Sequence, residues 1–245
     1  MEYIRDWQWE DKEVTESTND DAVALSSQLT KRKFIISAQE QTKGRGRRGR
    51  QWISLKGNLF FSQGIEFATE HLGQLICLSS LSLYQTIKNL LPTPYQVNLK
   101  WPNDVLIDDC KVSGTLLEKG EGDYFIIGIG VNICAAPENE NLLYPVVSLA
   151  QKGINIDRLV FLRSYIDNFD HYYLLWQKSG FSVLQDKWLQ AVKGLGEKIA
   201  VQTSSERIEG IFDGIGENGE LLLRTEQKQR KIFAGDVFYI KKEEK

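Results

Sequence analysis

Residues 43–67 read KGRGRRGRQWISLKGNLFFSQGIEF. Gly44, Gly46 and Gly49 fit the spacing G-x-G-x-x-G, but a dinucleotide-binding turn must open a helix straight afterwards, with the helix N-terminus on the pyrophosphate. Trp52 to Asn58 carries no helical pattern, and from Asn58 to Phe67 the residues Leu59, Phe61, Ile65 and Phe67 share one face at period two. That is the pattern of a strand. The P-loop template fails as well, because Arg50 and Gln51 stand where it needs Lys followed by Ser or Thr. A basic, glycine-rich loop that runs into a strand argues against a doubly wound fold.

Upstream of this stretch, Ser17-Thr18-Asn19-Asp20-Asp21 opens a capped helix to about Leu29, and Phe34 to Gln39 is β-prone. Downstream, Leu72, Ile76, Leu83, Ile87 and Leu90 form the stripe of a helix between His71 and Leu91. Strands follow at Gln96–Trp101, Asp104–Ile107, Lys111–Glu118 and Tyr124–Ile133, with Asp108-Asp109 as a tight hairpin turn. Beyond Asp157, the spacing of Leu162, Ile166, Phe169, Tyr173 and Trp176 predicts another helix, and a shorter one spans Phe181 to Val192. This non-alternating order predicts an α+β fold with a mixed or antiparallel β-sheet and helices packed on one face. From Lys198 onward, short strands and turns such as Glu217-Asn218-Gly219 predict a small C-terminal β-barrel, followed by a solvated tail at Lys241–Lys245. The boundary is placed at Gly194, giving domains of residues 1–193 and 194–245, and a chain cut there is expected to keep the first domain folded.

Composition narrows the function. Among 245 residues, Lys and Arg number 30 and Asp and Glu 33, a net charge of −3, so a dedicated nucleic-acid binder is disfavoured and any basic site is local. No apolar run approaches the ~18 residues of a membrane span and the start lacks a signal-peptide profile, so a cytoplasmic location is expected. Three cysteines and two histidines are too few and too scattered for a disulfide framework or a zinc site. His171, in Phe169-Asp170-His171-Tyr172, reads as helix surface.

The loop Lys43–Arg50 carries five positive charges and three glycines in eight residues. Glycines bring backbone N–H groups close to a ligand and guanidinium forks match carboxylate or phosphate oxygens, so this loop needs an anion. Without a ligand, its repulsion and backbone entropy are expected to hold it open as a mobile lid. With Trp52 beside it, the loop could also serve an RNA-binding module. A second cluster is Lys100-Trp101-Pro102-Asn103-Asp104 with Lys111 and Gly114, in which Lys111 points from a strand into the sheet face and Gly114 allows a close approach. The third is Gly128-Ile129-Gly130-Val131-Asn132, suited to a flat ring lying on a sheet.

Together with Glu16-Ser17-Thr18-Asn19 and Gln41, these stretches resemble the biotin protein ligase family over nearly the whole chain. Each motif alone is weak and the ordered set is specific. The resemblance implies the sheet and helices common to biotin ligases and class II aminoacyl-tRNA synthetases, with a small barrel like a Src-homology-3 domain at the C-terminus. Only about a dozen residues precede the first motif, which leaves no room for the repressor branch's DNA-binding domain. The ligase-only branch, with no DNA and no membrane partner, is therefore expected.

The family joins biotin to ATP, giving biotinoyl-AMP and pyrophosphate, and passes the biotinoyl group to a lysine of a biotin carboxyl carrier domain. The resemblance implies Lys111 between the biotin carboxylate and the α-phosphate, with Arg45, Gly46 and Arg47 closing over the ligands. Ser17, Thr18, Asn19, Gln41 and Gly114 complete the biotin pocket, since a ureido ring asks for hydroxyl and amide partners. Arg48 and Arg50 are assigned to phosphate or to anchoring the loop, Trp52 to the face of the adenine, and Asn103 and Asn132 to its edge. ATP is the co-substrate with Mg²⁺, for which Asp104 is the one candidate ligand. A lipoate ligase is the alternative enzyme, and a homodimer is left open.

Overall fold

The computed structural model describes residues 2–29, 33–67, 72–138 and 143–240, so the expected tail and His71 lie outside the described residues. Eight strands form one sheet: β1 (Glu2–Ile4), β2 (Trp7–Thr15), β3 (Phe34–Gln41), β4 (Leu59–Glu66), β5 (Val97–Lys100), β6 (Asp104–Ile107), β7 (Cys110–Lys119) and β8 (Tyr124–Val131). Their order is β1-β2-β3-β4-β8-β7-β6-β5. Only β2 and β3 pair in parallel. A parallel pair needs a crossover, and helix α1 (Thr18–Ser26) supplies it. The turn joining β6 to β7 has Asp108 and Asp109 both at positive φ, 46° and 68°, as a two-residue hairpin requires.

Period two decides what each face of the sheet does. Phe125, Ile127, Ile129 and Val131 of β8, with Leu59, Phe61 and Ile65 of β4, enter the main core. Above that face lie α2 (Leu72–Leu90), α3 (Arg158–Ser179) and α4 (Phe181–Ala191). Asp157 starts α3 by accepting from the amides of Leu159 and Val160. The Phe61 ring meets Tyr165 at 5.1 Å and Trp7 meets Phe169 at 5.7 Å, both edge-on. Burying each such aromatic contributes roughly 2–3 kcal/mol. The alternate residues Tyr124 and Ile126 join Ala22, Phe34 and Ile36 in a small cluster under α1. Gly128 and Gly130 continue that second face and leave it bare. His171 is exposed on α3, across the sheet from this strip.

The C-terminal strands β9 (Lys198–Gln202), β10 (Arg207–Ile215), β11 (Leu221–Arg224), β12 (Gln229–Ile232) and β13 (Asp236–Tyr239) form a five-stranded antiparallel sheet, ordered β12-β11-β10-β9-β13. Its residues Ile199, Val201, Phe212, Ile215, Leu221, Leu223 and Val237 are continuous with the main core. Gln74 Nε2 donates to Glu217 O (2.6 Å), Trp101 Nε1 to Gly219 O (3.0 Å) and Gln185 Nε2 to Ile215 O (2.5 Å). Gly73 and Gly219 pass so closely that a Cβ on either would collide with the other's backbone segment. No described helix is long and apolar enough to cross a membrane.

Candidate active site

The bare strip of the sheet floors a cleft of about 1240 Å³, its open mouth included. Gly114 on β7 sits opposite Gly130 on β8. A Cβ on Gly128 would overlap the Asn19 amide, one on Gly130 would overlap the Trp52 indole, and one on Gly114 would come within 2.9 Å of Lys111 Nζ. The three glycines thus let Asn19, Trp52 and Lys111 lie directly against the floor, in a row that ends at Asn132.

A regular strand would put Lys111 and Gly114 on opposite faces. The β6–β7 register slips between Val105↔Ser113 and Leu106↔Lys111, so β7 takes up one extra residue at Val112. This bulge turns Lys111 into the cleft while Val112 stays in the core. Backbone hydrogen bonds to Pro145 O (2.8 Å) and from Val147 N (2.9 Å) pin it there. Lys111 Nζ meets Asp104 at 2.7 Å and stands 5.4 Å from the Trp52 ring centre.

At one end of the cleft, Ser17 caps α1 and Gln41 Oε1 accepts from Thr18 N (2.9 Å) and Thr18 Oγ1 (3.1 Å). Ser62 Oγ lies 2.8 Å from Thr18 Oγ1 and 2.5 Å from Asn19 Oδ1, while Asn19 Nδ2 donates to Glu118 at 2.5 Å. At the other end, Asn132 Nδ2 donates to Val147 O at 3.2 Å. Asn103 spends its amide on protein groups: Nδ2 on Thr115 O (2.5 Å), Oδ1 on Arg47 Nη1 (3.3 Å). In this geometry Asn103 orients Arg47.

The loop over the cleft is closed, and self-repulsion does not hold it open because acidic partners from distant elements offset it. Arg45 is bidentate to Asp20 (2.6 and 2.7 Å), reaches Glu118 (2.9 Å) and touches Ser17 Oγ (3.1 Å). Hydrogen bonds to Asp20 and then to Glu118 outweigh burial and push the Arg45 pKa up, and the same pairing holds Asp20 below its ordinary value. Arg48 and Arg50 each meet Asp236 of β13 at 2.9 Å. Burial alone would raise Asp236, but these two guanidiniums draw it below the usual carboxylate range. Arg47 is the exception, since its Nη1 has only Asn103 and Gly235 O (3.4 Å), and burial lowers its pKa. Lys43, Arg45, Arg48 and Arg50 are each paired with a carboxylate, which weakens the argument for an RNA-binding patch. Gly46 N closes the turn on Arg50 O at 2.7 Å.

Residues 12–132 match the Biotin/lipoate A/B protein ligase family and residues 194–239 match the Biotin protein ligase C terminal domain. The chain is 33% identical over 238 residues to a biotin–[acetyl-CoA-carboxylase] ligase of Paracoccus denitrificans, covering 92% of this chain and 98% of the relative. The chain belongs to the biotin/lipoate protein ligase family. Another relative is the bifunctional ligase/repressor BirA of Bacillus subtilis, 30% identical over 92% of this chain and 72% of that protein. Among solved structures, a biotin protein ligase from Aquifex aeolicus in complex with biotin and ATP aligns with a TM-score of 0.83 and 28% identity, over 96% of this chain and 99% of that one.

In this family member every residue assigned from the sequence to biotin, ATP or catalysis lies in or beside this cleft. Sequence reasoning passed over Asp20, Ser62, Glu118 and Asp236. Asp20 was legible only as an acidic residue in a first helical turn, and the other three carry no local signal. Lys100 and Tyr144 also line the cleft.

Proposed function

We propose that this chain is an ATP-dependent biotin protein ligase that forms biotinoyl-AMP with release of pyrophosphate and transfers the biotinoyl group to a lysine of a biotin carboxyl carrier domain. The observation that carries this reading is the place of the Lys111 ammonium. It lies against the cleft floor at Gly114, beside Trp52 and in the same cleft as the hydroxyl and amide cluster at Asn19. Biotin's ureido ring asks for both donors and acceptors, which Ser17, Thr18, Asn19 and Gln41 provide, and its carboxylate then extends toward Lys111. A carboxylate attacking an α-phosphate brings two negative groups together. Lys111 lowers that barrier, and Arg45, Gly46 and Arg47 cover the reacting atoms and keep water out. On this reading Trp52 offers its ring to the adenine beside Gly114 and Gly130, and Asn132, which shares the cleft, accepts from the adenine edge. Arg48 and Arg50 reach the phosphates only by letting go of Asp236.

Asp104 gives its carboxylate to Lys111, and no group of three His, Cys, Asp or Glu side chains among the described residues is placed to hold a metal ion. Magnesium on this reading arrives on the ATP phosphates, where it screens their charge.

The direct test is ATP-dependent transfer of labelled biotin to a carrier domain with lipoate as competitor. Transfer of lipoate in preference to biotin would replace this reading by the lipoate ligase, whose dithiolane ring has no use for the polar cluster at α1.

Two glycine substitutions separate the subsites. Gly128→Ala collides with Asn19 and is expected to raise the KM for biotin by about tenfold or more, whereas Gly130→Ala displaces Trp52 and acts on the KM for ATP. Both changes falling on one substrate would refute the division.

Arg47→Gly removes a guanidinium whose protein contacts are two long hydrogen bonds, so the fold should survive. Losing charge-assisted bonds to the adenylate, about 1.5–3 kcal/mol, lets it escape roughly ten- to a hundredfold faster. Bystander lysines should then be labelled at random. Hydrogen exchange over residues 42–52, with and without biotin and ATP, reports lid ordering. Tight adenylate retention by the variant would exclude this role for Arg47.

A further inference from the structure

Lys100, the last residue of β5, has no task in the mechanism above. It is 4% exposed and lines the same cleft as Lys111. Among the described residues it has no hydrogen-bond or ion-pair partner, and its Nζ stands 2.8 Å from the ring centre of Tyr144 and 6.0 Å from that of Tyr239. A nearly buried ammonium with no counter-ion is costly. Burial pulls its pKa down to about 7, with Asp104 and Asp236 holding it up and Lys111 and Arg50 pressing it further down. Tyr144 and Tyr239 supply no negative charge, because burial pushes both phenols up. The cleft therefore contains a lysine head that lacks an anion.

Its position says which anion. Lys100 pairs across the hairpin with Asp104, and Asp104 holds Lys111, so the three form a row leading from Lys111 toward Asp236 and Arg50. On the biotin-ligase reading, a triphosphate with its α-phosphorus at Lys111 would carry its outer phosphates toward Lys100, which shares the cleft.

We propose that Lys100 binds the β and γ phosphates of ATP and holds the departing pyrophosphate in the first half-reaction, an inference that rests on the biotin-ligase reading. A carboxylate oxygen of biotin forms the new bond to the α-phosphorus. The bond from that phosphorus to the bridging oxygen breaks, and its electron pair leaves on pyrophosphate. The Lys100 ammonium donates hydrogen bonds to the charge that appears there. Because the polyanion favours the charged amine, the site takes up a proton from solution when pyrophosphate binds above pH 7.

Lys100→Met keeps the length of the side chain and replaces a buried, unpaired charge by an apolar group, so folding should be unharmed. In this variant biotin-dependent ATP–pyrophosphate exchange should fall about a hundredfold, while transfer from chemically made biotinoyl-AMP to the carrier domain should fall by less than about threefold. Calorimetry of pyrophosphate binding at pH 8, in buffers of different ionisation enthalpy, should show greater net proton uptake by the wild type than by the variant, since the ionisation of pyrophosphate itself is common to both. Exchange within about threefold of wild type, or equal losses in both half-reactions, would overturn the proposal. Wild-type protein inert in both half-reactions would overturn the ligase reading, and this inference with it.

Discussion

Lys111→Ala abolishes adenylate formation, with an expected loss of about 10³-fold or more in biotin-dependent ATP–pyrophosphate exchange. Of the cations among the described residues that line the cleft, Lys111 is the one found among the atoms nearest the glycine floor, 2.9 Å from a Cβ placed on Gly114. A single preorganised donor at a developing charge is worth about 10²–10³-fold, and a full charge in a water-poor cleft is worth more. The substitution also strips Asp104 of its 2.7 Å partner, and Asp104 is only 8% exposed. An unpaired carboxylate at that depth costs about 1–3 kcal/mol of stability. The double variant Lys111→Met with Asp104→Asn removes that penalty and should restore the melting temperature without restoring exchange. Wild-type exchange in Lys111→Ala would take this residue out of the mechanism.

A chain ending at Lys193 is expected to lose its cooperative fold, contrary to what the change of composition near Gly194 suggests. The apolar residues of the C-terminal sheet belong to the same continuous core as α2 and α4, and Leu189 of α4 lies against Gly214. Gln74, Trp101 and Gln185 would each lose a backbone acceptor, and Arg48 and Arg50 would lose Asp236. The cut bares to water the apolar surface that the C-terminal strands cover, at about 25 cal/mol per Å², against a total stability of only about 5–15 kcal/mol. Exposure of even about 200 Å² of that core corresponds to about 5 kcal/mol and a fall in melting temperature of roughly 10 °C or more, with loss of near-ultraviolet circular dichroism. Cooperative unfolding at the full-length temperature would show residues 1–193 to be an independent domain.

Much of this architecture is local information. Alternation on β4 and β8, the stripes of α2 and α3, the Ser17 and Asp157 caps and the Asp108-Asp109 turn depend on backbone sterics over a few residues, so the sequence by itself determined them. It also determined the bare floor, because Gly128 and Gly130 share a face at period two. The bulge at Val112 that swings Lys111 onto the face of Gly114 was not legible, since a one-residue slip between β6 and β7 is set by pairing across strands. Nor were the partners of the lid. Asp20, Glu118 and Asp236 stand 25, 73 and 186 or more residues from the arginines they hold, and read alone the loop is a run of like charges that repels itself. Coulombic pairing acts over ångströms in space whatever the separation along the chain. Only the tertiary structure, by bringing α1, β7 and β13 around one loop, decided that the lid closes on carboxylates and that Lys100 remains without one.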